Sequence, residues 1–313
     1  MADKSRRRRR GKRSERQLQP SLTNLTQQHR RSRLPQPDVD GGMKGVKTRQ
    51  QRGQPDRNQR FEDGATLAPS PLAAASNAGV VLTMLADGAA TAETIDGADG
   101  AASGLVPGSI WIQMGTVGVT WIERLAERAA GDEIAFVDAP VSGSTGPAQV
   151  GELVVLASGP ENVRSRVQPI FDAIGRHTFW LGRAGNGTRM KVTLNNWLAA
   201  STEALAETLA LSDALGLDPD EFIDVFADGP LASPYAVAKG RAMTAGDFAP
   251  GFPLRHAFKD TALALDAARE LGVELPLTEA LESRWRGAIS RGHGEEDLAA
   301  IIIEANRRDG SAG

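Results

Sequence analysis

The chain of 313 residues contains no cysteine, which excludes disulfides, thiolate zinc sites and cysteine nucleophiles. No apolar run approaches the ~20 residues needed to span a bilayer, and no hydrophobic secretory segment follows the basic start. No repeat of fixed period appears. The length is enough for two domains of ordinary size with a buried core. A soluble, cytoplasmic protein that handles a small substrate or cofactor is expected, with no membrane partner and no metal site.

Charge is unevenly placed. Residues 1–60 hold 18 Lys and Arg against 5 Asp and Glu, a net of +13, whereas the rest of the chain holds 18 against 34, a net of −16. The first 60 residues contain no Phe, Trp or Tyr and only six Leu or Val. With so little to bury, this segment cannot offset its ordering entropy and reads as disordered. Its arginines suit phosphate contacts, but no aromatics are interleaved for base stacking and the body is acidic. Nucleic acid is therefore not the expected partner. The segment also lacks the apolar face of a mitochondrial targeting helix.

From Ala65 onward, short apolar strands alternate with helices. The strands are read at Val80–Leu85, Ile110–Ile112, Phe136–Val141, Leu153–Ala157 and Thr178–Leu181, with helical stretches around Trp121–Ala129 and Val163–Phe171. Two-sided apolar strands separated by helices predict a parallel or mixed α/β sheet. After Gly182 the pattern turns wholly helical: a run from Asn186 to Leu215, then Asp220–Ala227, Leu254–Leu271, Pro276–Ser290 and Glu295–Asn306. The predicted layout is a basic segment over 1–60, an α/β domain over 61–181 and an all-α domain over 182–313. Long apolar helices carrying Leu205, Leu209, Leu298, Ile301 and Ile302 lead to the expectation of a homo-oligomer.

Three stretches carry chemistry. The run Asp138-Ala139-Pro140-Val141-Ser142-Gly143-Ser144-Thr145-Gly146 places a loop of small residues at the C-terminal end of a strand, the edge where open α/β sheets bind ligands. Its backbone N–H groups can approach an anion such as a carboxylate. Lys191 and Asn195 are four residues apart and share a face of the long helix. A lysine there, partly desolvated in a cleft, is suited to general acid–base work. Lys259-Asp260 is a third pair on a later helix. Spacing alone leaves open a plain turn, a solvated lysine and a surface ion pair for these three.

The segments Val80–Asp87 (VVLTMLAD), Ile112–Gly118 (IQMGTVG), Asp138–Gly143 (DAPVSG), Gly182–Asn195 (GRAGNGTRMKVTLN) and Lys259–Ala264 (KDTALA) occur in this order. Through them the chain, from about Gly64 to Ala305, resembles the β-hydroxyacid dehydrogenase family. That family includes 3-hydroxyisobutyrate dehydrogenase and belongs to the 6-phosphogluconate dehydrogenase superfamily. The resemblance implies a Rossmann-type domain followed by an all-α domain, NAD or NADP as cofactor, and interconversion of a short 3-hydroxy acid with its semialdehyde or ketone. By position, Lys191 matches the catalytic lysine, Asn195 its orienting neighbour, and Ser142 and Gly143 the residues holding the substrate carboxylate. Leu85, Ala86 and Ala90 match the dinucleotide loop, and Thr116 and Lys259 the nicotinamide contacts. Ala86 replaces a usual proline and Ser144 a usual second glycine. Imine-reducing relatives carry another residue type at the lysine position, and the phosphate-binding cation cluster of 6-phosphogluconate dehydrogenase has no counterpart around these motifs.

One departure is large. Family members open with strand, G-x-G-x-x-G and helix, because the cofactor pyrophosphate sits on the helix N-terminus. No such motif precedes residue 65. The first 60 residues are accordingly read as a misread frame or start, in preference to a genuine loss of the first βαβ unit. As written, the chain is expected to bind NAD or NADP very weakly and to show no measurable dehydrogenase activity. The alternative is an impaired relative whose basic tail binds anionic partners.

Overall fold

A computed structural model of the chain describes residues 64–307. The basic segment over 1–60, and every expectation attached to it, lies outside the described residues.

The described part opens with α1 (Pro71–Ala75), whose first turn is capped by the Ser70 hydroxyl accepting from Ala73 N–H at 3.1 Å. Strand β1 (Val80–Thr83) leads into α2 (Gly88–Asp96), capped by Asp87 through Ala90 N–H at 2.8 Å. Then come β2 (Ile110–Gln113), α3 (Val119–Gly131), β3 (Ala135–Asp138), β4 (Val141–Ser142), α4 (Thr145–Gln149), β5 (Leu153–Ala157), α5 (Arg164–Ile174) and β6 (Gly175–Trp180). Strands β1, β2 and β3 pair in parallel, with Val80 opposite Ile110 and Ile110 opposite Ala135. A second ribbon pairs β4 antiparallel to β5, and β5 parallel to β6.

The strand expected over Phe136–Val141 is split in two. Pro140 has no N–H to donate to a ladder, so the chain leaves β3 after Asp138 and re-pairs as β4. Asp138 and Ser158 bridge the two ribbons through paired backbone bonds of 2.9 and 2.7 Å. Side chains alternate between two cores, one on each sheet face. Val81, Trp111, Ile122, Leu125 and Phe136 fill one; Ile110, Ile112, Val137, Val155, Val167 and Phe171 fill the other. Burial on both faces is what a parallel sheet covered by helices requires.

The remainder is helical. The 29-residue helix α6 (Asn186–Ala214) runs without proline, followed by α7 (Pro219–Asp228), α8 (Pro234–Ala245), α9 (Leu254–Leu271), α10 (Pro276–Ser290), a 3₁₀ turn (Leu298–Ile301) and α11 (Ile302–Ala305). Their common core contains Leu205, Leu209, Leu254, Leu281, Trp285 and Leu298. The sequence reading overlooks α8, and it places one continuous helix over Glu295–Asn306 where a 3₁₀ turn and a short helix stand. The cause is Asp297, which caps Ala299 N–H at 2.9 Å while its other oxygen accepts from Gly251 and Phe252 N–H at 3.1 and 3.0 Å. Helix therefore starts only after it. Among the described residues no helix is long and apolar enough to cross a membrane.

Candidate active site

The C-terminal ends of β1, β2 and β3 lie side by side, so the loops leaving them form one edge. The loop after β2 is held from below by a buried polar chain: Trp111 Nε1 donates to Thr83 Oγ1 at 2.9 Å, Thr83 to Gln113 Oε1 at 2.8 Å, and Gln113 Nε2 to the Gly115 carbonyl at 3.0 Å. Gly115 lies against the loop after β1: a Cβ there would come within 2.6 Å of the Leu85 carbonyl oxygen. Leu85, Ala86, Ala90 and Thr116 are all partly buried along this edge. Adjacent loops at the carboxyl ends of parallel strands suit the nicotinamide half of a dinucleotide. The positions that the resemblance assigns to the dinucleotide, Leu85, Ala86, Ala90 and Thr116, lie along this edge, and Lys259 reaches it through the Thr116 carbonyl.

Helices α6 and α9 bring the polar groups to this edge. Lys259 Nζ donates to the Thr116 carbonyl at 2.5 Å and pairs with Asp260 Oδ1 at 2.8 Å. Asp260 is buried, 4% exposed, and its other oxygen accepts from Asn195 Nδ2 at 2.5 Å. Lys259-Asp260 is therefore not a solvated surface pair. It ties the helical part to the strand edge, and with it Asn195.

Lys191, one turn before Asn195, is partly buried. Burial lowers its pKa; the Asp260 carboxylate opposes this, and the Lys259 ammonium adds to it. A lysine amine is thereby brought nearer the neutral range, at the position where α6 meets the strand edge.

Ser142 stands at the end of β4, partly buried, and Gly143 follows at φ +125°, a conformation that favours glycine. A Cβ on Gly143 would also come within 2.8 Å of Leu153 Cδ2. Among the described residues no hydrogen bond or ion pair joins Ser142 or Gly143 to Lys191. The next residues approach the helical part: Ser144 Oγ and Thr145 Oγ1 lie 4.0 and 3.9 Å from where a Gly251 Cβ would stand.

The structure thus joins Asn195, Thr116 and Lys259 through Asp260 in one network, to which Lys191 is coupled electrostatically, and places Ser142 at the end of β4 with Gly143 exposed after it. Sequence reasoning gave no role to Asp260 as the hub, to Gln113 beneath the β2 loop, or to Asp138, Ser158 and Thr188 where α6 begins. The last three are fully buried. Their one signal was that Asp138 opens the DAPVSG run.

A family model described as the NAD binding domain of 6-phosphogluconate dehydrogenase matches residues 45–182. Another, described as "NAD-binding of NADP-dependent 3-hydroxyisobutyrate dehydrogenase", matches residues 185–304. The chain is 33% identical over 245 residues to glyoxylate/succinic semialdehyde reductase 1 of Arabidopsis thaliana, covering 78% of this chain and 85% of that one. It is 34% identical over 251 residues to L-threonate dehydrogenase of Cupriavidus necator, covering 79% and 84%. Among solved structures, a 3-hydroxyisobutyrate dehydrogenase from Salmonella typhimurium superposes with a TM-score of 0.72 at 26% identity, covering 79% of this chain and 86% of that one.

Proposed function

Because the chain belongs to the β-hydroxyacid dehydrogenase family of NAD(P)-dependent oxidoreductases, we propose that it interconverts a short 3-hydroxy acid and the corresponding semialdehyde or ketone, with Lys191 handling the proton. The observation that carries this reading is the partly buried Lys191 on α6, its pKa lowered, one turn from an Asn195 fixed by buried Asp260.

NAD(P)H, when bound, supplies the hydride in reduction, and the oxidised form accepts it in the reverse direction. In reduction the Lys191 ammonium donates a proton to the carbonyl oxygen; in oxidation the neutral amine removes the hydroxyl proton. Asn195, locked on Asp260, orients rather than transfers. Ser142 and the backbone at Gly143 receive the substrate carboxylate, a role suited to an exposed loop of small residues at a strand end. The domain bounds we adopt are 61–181 and 182–313, with the transferring groups at their junction. A homo-oligomer is part of the proposal, supported by the exposed apolar side chains of Met190, Leu194, Trp197 and Leu211 on α6.

The test is a substrate series on a chimera in which residues 1–60 are exchanged for a strand–G-x-G-x-x-G–helix unit. Malonic semialdehyde and related short 3-oxo acids, whose reduction yields 3-hydroxy acids, are expected to oxidise NADPH or NADH, while aldehydes of equal length without a carboxylate react far more slowly. Equal rates with and without the carboxylate would contradict the assignment of Ser142 and Gly143.

A further inference from the structure

Gly185, which precedes α6 at φ +94°, offers no side chain to cap the helix, yet the first amides of a helix need acceptors. They find them on the sheet. Asp138 Oδ2 accepts from Thr188 N–H at 2.7 Å, and Asp138 Oδ1 from the Thr188 hydroxyl at 2.7 Å. Gly187 N–H donates to Ser158 Oγ at 2.9 Å, and that hydroxyl stands 3.2 Å from Asp138 Oδ2. All three side chains are fully buried. A Cβ on Gly187 would stand 2.2 Å from the Leu156 carbonyl and 2.9 Å from that of Asp138, so the helix start rests directly on strand backbone.

A cap supplied locally would stabilise α6 wherever the helix lay. A cap supplied from β3 fixes the helix start against the strand edge. Thr188 lies three residues before Lys191, on the adjoining turn of the same face. Asp138 lies four residues before Ser142, in the segment that carries the carboxylate loop. Asp138 therefore ties the strand that leads to Ser142 to the first turn of α6. Among the described residues no charged group pairs with it: burial pushes the Asp138 carboxyl up to about 6, against the bonds from Thr188 and Ser158 that favour its ionised form. The carboxylate accepts both the N–H and the hydroxyl of buried Thr188, two donors that an apolar residue would leave unsatisfied, which fits a positioning task.

We propose that Asp138 is a positioning residue: its carboxylate, steadied by Ser158, grips Thr188 and so fixes the turn of α6 that presents Lys191 to the strand edge. The inference rests on the reading of Lys191 as the proton-transferring group, but its test does not use turnover.

The test is the titration of Lys191 in the full chain, followed by NMR on lysine labelled with ¹³C at Cε, the Lys191 signal being the one absent from Lys191→Ala. The charged groups acting on Lys191 are Asp260 and Lys259, and these are left unchanged. Thr188→Val, Ser158→Ala and Asp138→Asn should each loosen the helix start, admit water and move the Lys191 titration up towards the ordinary lysine range. Thr188→Ser, which keeps the hydroxyl, should restore the wild-type titration. Variants that melt at lower temperature while Lys191 titrates as in wild type would make Asp138 a folding residue only and overturn the proposal. Failure of all three to fold would overturn it equally. Normal turnover in Lys191→Ala would sink the dehydrogenase mechanism separately, without altering what the titration says of Asp138.

Discussion

Lys191 stands between opposed influences, and the balance fixes a pH response. Burial and the Lys259 ammonium hold its pKa below the usual lysine value, while Asp260 pulls it up. In the proposed mechanism reduction uses the ammonium, so its rate should fall as pH rises through the Lys191 pKa; oxidation uses the amine and should rise through the same range. Asp260→Asn removes the upward pull and leaves Lys259 uncompensated. The alkaline limb of the reduction profile should therefore move to lower pH, which a kcat–pH series on the chimera measures. An unmoved limb would mean that Asp260 does not act on the transferring group. At this scale the sequence was legible where partners are close along the chain. Lys191 and Asn195 share a face through i, i+4 spacing. Asp138 and Thr188 are 50 positions apart and Asn195 and Asp260 are 65 apart; no local pattern announces either pair.

Among the elements, those bounded by strong punctuation were readable. Leu254–Leu271 lies between Pro253 and Gly272, the latter at φ +69°, and Pro276–Ser290 begins on a proline. Helix α8 was overlooked because only Gly240 and Met243 are buried on it, so it presents no apolar stripe to detect, although Ser233-Pro234 caps it. The start of α6 was readable as a boundary but not as a contact. Gly187→Ala should cost about 1–3 kcal/mol, since the added carbon meets backbone that cannot yield; urea unfolding of the two chains would measure it, and an unchanged midpoint would refute the close seat. Among the described residues β1 pairs on one side only, with β2. Amides of Val80–Thr83 should therefore exchange faster than those of Ile110–Gln113, which lie between two partners. Comparable protection in hydrogen-exchange mass spectrometry would contradict this.

For the whole molecule, the fold class followed from strand–helix alternation and its abrupt end near Gly182, and the family from five segments in order. The family signal that the sequence does not carry is the glycine turn on which, with a helix N-terminus, the pyrophosphate grip normally rests: no G-x-G-x-x-G lies before residue 65. Calorimetric titration of the full chain with NADPH or NADH should therefore give affinity no better than millimolar; micromolar binding would mean that other residues hold the pyrophosphate. With that grip supplied by the chimera, the groups within 64–307 should suffice for proton transfer. The most direct measurement is turnover of a short 3-oxo acid such as malonic semialdehyde by the chimera, with and without Lys191→Ala, at saturating cofactor. A loss on the order of 10²–10⁴-fold with cofactor affinity unchanged is expected when a positioned general acid is removed; turnover within a few-fold of the parent would show that Lys191 does not carry the proton.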